Sequence, residues 1–157
     1  FSDATLVAGQ AAALGLRATL LGGDGWSSRM LFKRAQPAGR AFYADLCSPP
    51  EDFGERYRRT YGEEAEGCRA VLAYDAVLAV VHALTELGPL DEEALTRHLP
   101  ATRARLRHAL ERVDFSGRTG RIRFDAHRNR EGGLAILELK CLENGCRPRL
   151  VRSAHAR

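Results

Sequence analysis

The feature that most constrains the fold is the apolar segment CRAVLAYDAVLAVVHALTELG, residues 68–88. Its apolar residues recur around most of a helical circumference instead of along one stripe. Such a helix is predicted to be buried between other layers of structure, because each layer must cover the apolar face of the next. Gly88 and Pro89 follow the segment and are predicted to end the helix. The remaining elements are therefore expected to pack on both of its sides.

The first third of the chain predicts an α/β protein. Residues 4–15 predict a helix that Asp3 caps and Gly15 ends. One face of this helix carries Leu6, Val7, Ala11 and Leu14. The run ATLLGG (18–23) then predicts a buried strand of a parallel sheet, followed by a glycine loop. This order of helix, turn, strand and loop is typical of α/β proteins.

The rest of the chain predicts mainly helices and then strands. Pro49-Pro50 is predicted to mark a crossing or linker between them, because consecutive prolines break regular structure. The predicted elements are, in order, a helix over 27–35, a strand over 39–47, helices over 51–62, 92–99 and 101–112, and strands within 115–125, over 134–142 and over 146–152.

Charge and composition favour a globular protein that does not bind nucleic acid. Hydrophobic residues make up 45% of the chain, and the formal net charge is +4. The arginines are scattered among acids, as in EDFGERYRRTYGEE (51–64), without an aromatic-basic stacking motif. Nucleic-acid binding combines clustered cations with elements that stack on bases or read a groove. We therefore expect no nucleic-acid partner.

The sequence also indicates a segment of a longer, non-membrane polypeptide. No apolar run approaches the roughly 20 residues of a membrane span, and the longest, 70–84, contains Asp75. The chain opens on Phe1 and Ser2 without a basic-then-apolar leader. It is thus expected to be processed or excised, with its true start upstream.

Cysteines and histidines predict neither a metal site nor a catalytic centre. The four cysteines form no C-x-x-C pair, and the five histidines show no ligand spacing. Two interpretations of the cysteines stay open: disulfides Cys47–Cys68 and Cys141–Cys146, or four unpaired thiols. No hydrolase, metalloprotease or phosphate-loop motif occurs. We expect a non-enzyme without metal or cofactor.

A single acid, Asp24, lies among glycines in LLGGDGWSS. Gly22, Gly23 and Gly25 permit unusual backbone angles and the close approach of a ligand. A carboxylate at the end of a strand, in a cleft that excludes water, attracts an ammonium group strongly. The alternative is that Asp24 caps a turn or the helix that follows.

Five segments, taken in order, resemble one family. They are LGLRATLLGGDGW (14–26), YRRTYG (57–62), AYDAV (73–77), FSGRTGRIRFD (115–125) and ENG (143–145). Together they resemble the C-terminal half of the type I periplasmic-binding proteins, specifically the branched-chain amino-acid-binding family of ABC importers. That family has two α/β lobes with Rossmann-like parallel sheets, which three hinge strands join and which close on a ligand. The loop FDAHRNREGG departs from the family pattern, in which a glycine closely follows the acid.

The resemblance implies an incomplete two-lobed fold. Residues 1–47 would be part of the second lobe, and 48–133 would return to the first lobe as helices with a hinge strand. Residues 134–152 would complete the second lobe, and 153–157 would be a disordered tail. The remainder of both lobes would precede Phe1, so the isolated segment is expected to be poorly stable.

The resemblance also implies a ligand site. Asp24 would receive the α-ammonium of a bound amino acid, with Gly22 and Gly23 close to the ligand. Trp26 would line the cleft or fill the core of the second lobe. Phe1 would lie next to an aromatic residue of the cleft. The groups that bind the ligand carboxylate would come largely from upstream of this chain.

Two other acids are expected to be structural. Asp75 lies within the helix of AYDAV and is predicted to be hydrogen-bonded at a lobe or hinge contact rather than catalytic. Asp125 in RIRFD is predicted to form a turn with Asn129.

The leading functional hypothesis is a periplasmic or extracellular solute-binding protein. It would capture an amino acid or a related small amine or amide and deliver it to the permease of an ABC importer. One alternative is a ligand-sensing domain of the same fold in a receptor or signalling protein. Another is an interaction module without a pocket, for which the arginine-rich helix 101–112 would be the partner surface.

Overall fold

The computed structural model of the chain describes residues 2–27, 39–48, 50–65, 67–142 and 145–154. The predictions for Phe1 and Pro49, for residues 28–35 of the predicted helix, and for Glu143 and Asn144 of the predicted turn lie outside these ranges. The chain divides into two compact units, Phe1–Ala70 with Gly133–Arg157, and Val71–Gly132.

The described elements follow the α/β order that the sequence predicts. They are α1 (Ser2–Ala13), β1 (Leu20–Gly22), a single 3₁₀ turn (Asp24–Trp26), β2 (Ala41–Asp45), α2 (Glu51–Tyr61), α3 (Gly67–Leu87), α4 (Glu92–Thr96), α5 (Leu99–Leu110), β3 (Asp114–Gly117), β4 (Gly120–Phe124), β5 (Arg130–Glu131), β6 (Leu134–Leu142) and β7 (Gly145–Ala154).

A mixed four-stranded sheet organises the first unit, in the order β1-β2-β6-β7. β1 pairs with β2 in parallel, whereas β2–β6 and β6–β7 are antiparallel. β7 continues two residues beyond its predicted end, because Ser153 pairs with Ala135 and Ala154 with Leu134. The first two residues of the predicted disordered tail are therefore strand.

Helix α1 packs on this sheet through its alanines. Ala8 is buried against a core that contains Ala41, Tyr43 and Leu137. Ala11 is also buried, but Leu6, Val7 and Leu14 are exposed, so three of the four residues on the predicted apolar face do not face the core. Alanines at helical spacing let the backbone lie close to the strands, which turns the larger side chains outward. The expected burial of β1 is also wrong, since Leu21 is 78% exposed.

The opposite face of the sheet contains a buried carboxylate, Glu138. Its oxygens accept hydrogen bonds from Arg40 at 3.3 Å and Arg149 at 2.6 Å, and the Lys140 ammonium lies 2.9 Å away. The Lys140 and Arg149 side chains lower the pKa of Glu138 from 4.5 to about 2. Glu138 therefore stays ionised and joins β6, β7 and the residue before β2.

Two disulfides form in the first unit, so the paired interpretation of the cysteines is the one that the structure contains. Cys47–Cys68 closes 21 residues of chain and fastens the start of α3 to the segment after β2. A loop of this size stabilises a fold by about 3 kcal/mol in the chain-entropy estimate. Cys141–Cys146 joins residues directly opposite each other in the β6–β7 hairpin.

In the second unit, one stripe of α3 packs against α5 and the strands β3 and β4. Its core consists of Ala79, Ala83, Ala109 and Val113, with Phe115 and Phe124 among the residues around them. Tyr74, Val77, Val80, Val81 and Leu84 on the remainder of α3 are exposed. The prediction that α3 is buried between layers is therefore wrong for this chain, because the described elements cover a single stripe.

Within the described ranges, α3 is the one helix long and apolar enough to cross a membrane by length and composition. The sequence analysis predicted no segment long and apolar enough to span a membrane, and by this criterion that prediction is wrong. Core helices of soluble proteins meet the same criterion.

Asp75 joins α3 to the turn between β3 and β4. It is buried, and it accepts hydrogen bonds from the backbone amides of Arg118 at 2.7 Å and Thr119 at 2.8 Å. The Thr119 hydroxyl donates a third at 2.5 Å. The structure thus confirms that Asp75 is hydrogen-bonded, and its place at a lobe or hinge contact stays a prediction.

Asp125 forms the predicted turn. Its Oδ1 accepts from the amides of His127 and Asn129, each at 2.8 Å, and these bonds lower the pKa of its carboxyl. Arg128 has a φ of 66°, a backbone region that favours glycine. The side-chain bonds of Asp125 thus hold a turn in which arginine stands at a position suited to glycine.

We expect Asp75→Ala to lower the free energy of unfolding by about 2–3 kcal/mol, because two amides and one hydroxyl lose their acceptor. Urea denaturation of the full-length protein measures the change. Asp114→Asn is the control, since Asp114 pairs with Arg121 at the surface, where ion pairs contribute little. Equal losses in the two variants would contradict the role assigned to Asp75.

We expect Glu138→Gln to lower the melting temperature at pH 7, with the difference from the parent shrinking as pH falls from about 4.5 towards 2. The lowered pKa means that the stabilisation is complete above the ordinary carboxyl pKa and is lost on protonation of the folded protein. Thermal melts across this pH range test it, with the exposed Glu55→Gln as control. A difference that stays constant with pH would argue against it.

Candidate functional site

The site begins where β1 ends. Gly23 precedes the 3₁₀ turn Asp24–Trp26, which two backbone bonds close, Trp26 N–H to Gly23 and Ser27 N–H to Asp24. β2 runs parallel to β1, so both strands end at the same edge of the sheet. Ligands of open α/β sheets bind outside this carboxyl edge.

Trp26 lies across the end of β1. Its indole packs against Gly22, where an added Cβ would come within 2.5 Å of the ring. Trp26 is partly buried and contacts the core of the first unit. Gly22 is therefore required by the tryptophan, whereas Gly23 has open space around it and leaves the backbone accessible.

Asp24 is exposed at the start of this turn. Among the described residues, no hydrogen bond to its carboxylate is found, and the N-cap of the turn is Gly23. The following helix, which Asp24 was alternatively predicted to cap, lies outside the described residues. Its negative charge contributes to raising the pKa of Asp45, which places the two acids at the same edge of the sheet. Since no cation of the described residues pairs with it, this exposed carboxylate is a candidate to receive an external ammonium group.

A group of buried polar side chains adjoins the Asp24–Trp26 turn. Ser27, Tyr43 and Asp45 are at most 5% exposed, and the Ser27 hydroxyl bonds with both other side chains. The Leu46 amide donates to Asp45 at 2.7 Å.

Burial changes the acidity of this group. It raises the pKa of Asp45, with the Asp24 charge adding to the effect, and it raises the pKa of Tyr43. Both side chains are thus more easily kept protonated than at the surface. The residue that bonds to both, Ser27, immediately follows the Asp24 turn, so the buried group fixes the exposed acid in place.

The start of α3 packs against Ser27, one member of this group. Gly67 has a φ of 54°, and an added Cβ would overlap the Ser27 hydroxyl. Cys68, the next residue, forms the disulfide to Cys47 after β2. The disulfide therefore holds Gly67 against Ser27.

The structure thus brings Gly22, Gly23, Asp24 and Trp26 together, whereas Phe1 lies outside the described residues. Sequence reasoning missed Ser27, Tyr43, Asp45 and Gly67. One signal was present: AFYAD alternates, so Tyr43 and Asp45 share the face of Ala41, and Asp45 ends the strand. Within the described ranges, no group of three potential metal ligands occurs.

Residues 35–141, more than half of the chain, match the family described as "Receptor family ligand binding region". No curated protein matches the chain in sequence.

Solved structures share the fold. A leucine binding protein, LivK, from Thermotoga maritima superposes with a TM-score of 0.77 at 20% identity, covering 98% of this chain and 42% of its own. The branched-chain amino acid transporter substrate binding protein LivJ from Streptococcus pneumoniae, in complex with isoleucine, gives 0.68 at 22%, covering 98% and 41%.

An ABC transporter substrate-binding protein from Desulfitobacterium hafniense, in complex with Leu, gives 0.66 at 22% identity, covering 93% of this chain and 40% of its own. The chain thus spans about two fifths of the length of these proteins. The likeness shows the fold, which is that of part of a type I periplasmic-binding protein.

We expect Gly67→Ala to lower the free energy of unfolding by about 2 kcal/mol or more, because alanine is strained at this φ and its Cβ overlaps Ser27. Gly54→Ala in α2 is the control. It has open space around it and should be neutral or stabilising by up to about 1 kcal/mol, as alanine favours helix. Denaturant midpoints of the full-length variants measure both, and an unaffected Gly67→Ala midpoint would exclude close packing on Ser27.

Proposed function

Because the chain belongs to the receptor family ligand-binding region, we propose that it is part of a periplasmic or extracellular protein that captures an amino acid or a related small amine or amide. The observation that carries this proposal is the exposed Asp24 carboxylate at the carboxyl edge of a parallel strand pair. The fold of LivK, LivJ and the leucine-bound protein supports the ligand class.

In this proposal, Asp24 pairs with the ammonium group of the ligand, and the amides near Gly23 approach the ligand closely. The buried Ser27–Tyr43–Asp45 group keeps Asp24 in position, so little conformational entropy is lost there when the ligand binds. The groups that receive the ligand carboxylate lie in the upstream part of the two-lobed fold.

Ligand would favour the closed arrangement of the two lobes through contacts that the open one lacks. The closed protein would then deliver its ligand to an importer permease in the membrane. We assign residues 1–47 and 134–152 to the second lobe and 48–133 to the return through the first. We propose no catalytic step, metal or cofactor.

A sensing domain is the second candidate, and the family description as a receptor ligand-binding region favours it. The same clamshell closure would then act on an attached receptor or signalling enzyme. A membrane span after the domain would indicate sensing, whereas a lipoprotein signal before it would indicate transport.

We expect the full-length protein to bind one or more α-amino acids, and Asp24→Asn to weaken that binding by about tenfold or more, since it loses a charge-assisted hydrogen bond. Calorimetric titration with a panel of amino acids measures the affinity. Glu92→Gln on α4 removes the same charge from an exposed position elsewhere and should leave the affinity unchanged. Undiminished affinity of Asp24→Asn would remove Asp24 from the ammonium role.

A further inference from the structure

Five cations share one face of the sheet in the first unit. Cross-strand pairs place Phe42, Glu138 and Arg149 in one row, Lys140 and Arg147 in the next, and Ile136 beside Arg152. Arg40 joins this face, because its guanidinium lies 4.7 Å from the centre of the Phe42 ring and bonds to Glu138. The five cations are all exposed: Arg40, Lys140, Arg147, Arg149 and Arg152.

One buried carboxylate does not balance these charges. Glu138 is shared by Arg40, Lys140 and Arg149, whose side chains are 53–68% exposed. Among the described residues, Arg147 and Arg152 have no acidic partner. Lys140 and Arg147 stand directly opposite each other, and like charges in a cross-strand pair destabilise a sheet.

The extent of the array indicates what kind of anion fits it. Neighbouring strands lie about 4.8 Å apart, so cations on and beside β2, β6 and β7 extend across roughly 10 Å. A single carboxylate or phosphate contacts two or three such groups at most. The exposed Leu21 and Leu134 add apolar side chains to this face. An extended anionic layer therefore fits better than one small ion.

We propose that this basic face of β2, β6 and β7 is a docking surface for the anionic phospholipid headgroups of a membrane. Arg147 and Arg152, which do not contact Glu138, supply charge to the headgroup layer, while Glu138 orders the other three cations. Side chains alternate along β2, so Phe42 lies on this face and the supporting residues Tyr43 and Asp45 lie on the other. It would hold a solute-binding protein near the membrane of its partner without occupying the ligand site.

The test is co-sedimentation of the full-length protein with vesicles of phosphatidylglycerol and phosphatidylcholine in equal parts. We expect binding that weakens as salt rises, and no binding to phosphatidylcholine alone. Arg147→Ala/Arg152→Ala should weaken binding about tenfold or more, since both charges act at the headgroup layer. The control Arg103→Ala/Arg105→Ala removes the same net charge from exposed positions of α5 and should change binding less than about twofold.

Three outcomes would overturn the proposal. The first is no binding to the anionic vesicles. The second is an equal loss in both double variants, which would mean that net charge alone attracts the protein. The third is binding to soluble polyglutamate but not to vesicles, which would assign the face to an acidic protein partner. Calorimetric amino-acid affinity should be the same in the parent and in Arg147→Ala/Arg152→Ala, so this test is independent of the ligand site.

Discussion

The parallel pairing of β1 with β2 is the constraint on which the candidate site depends. Three residues of each strand pair in register, and this short contact brings two segments some 20 residues apart to one edge of the sheet. One segment carries the exposed Asp24, and the other carries the buried Asp45. Ser27 connects them through its hydroxyl. Without the parallel register, an exposed acid and its buried support would belong to separate parts of the surface.

The sequence predicted the positions of elements well where these depend on residues close together in the chain. Residues 134–142 form the predicted strand, α2 ends at Gly62, and the Asp91 carboxylate caps α4 by accepting from Ala94. Faces were predicted poorly. Helical periodicity identifies an apolar stripe but not its partner, so it did not indicate that α1 packs through alanine or that much of α3 is exposed.

The candidate site likewise contains some residues that the sequence indicated and others that it did not. The sequence pointed to Asp24 because glycines lie on both sides of it, and to Trp26 because it is the one tryptophan of the chain. The supporting residues come from the end of the turn after β1, from β2 and from the start of α3, and the Cys47–Cys68 disulfide brings the start of α3 close. Such convergence depends on strand register and on which cysteines pair, and the residues alone left the cysteine pairing open.

The second disulfide has a consequence for the longest strands of the sheet. Side chains alternate between faces, so a shift of the β6–β7 pairing by one residue would exchange the two faces of β7 relative to β6. Leucines would then oppose charged residues, and Glu138 would lose Arg149 as its direct neighbour. A covalent bond between the facing Cys141 and Cys146 removes this alternative. The hairpin therefore has one permitted register. The disulfide thus fixes covalently which face of the hairpin is apolar and which is charged.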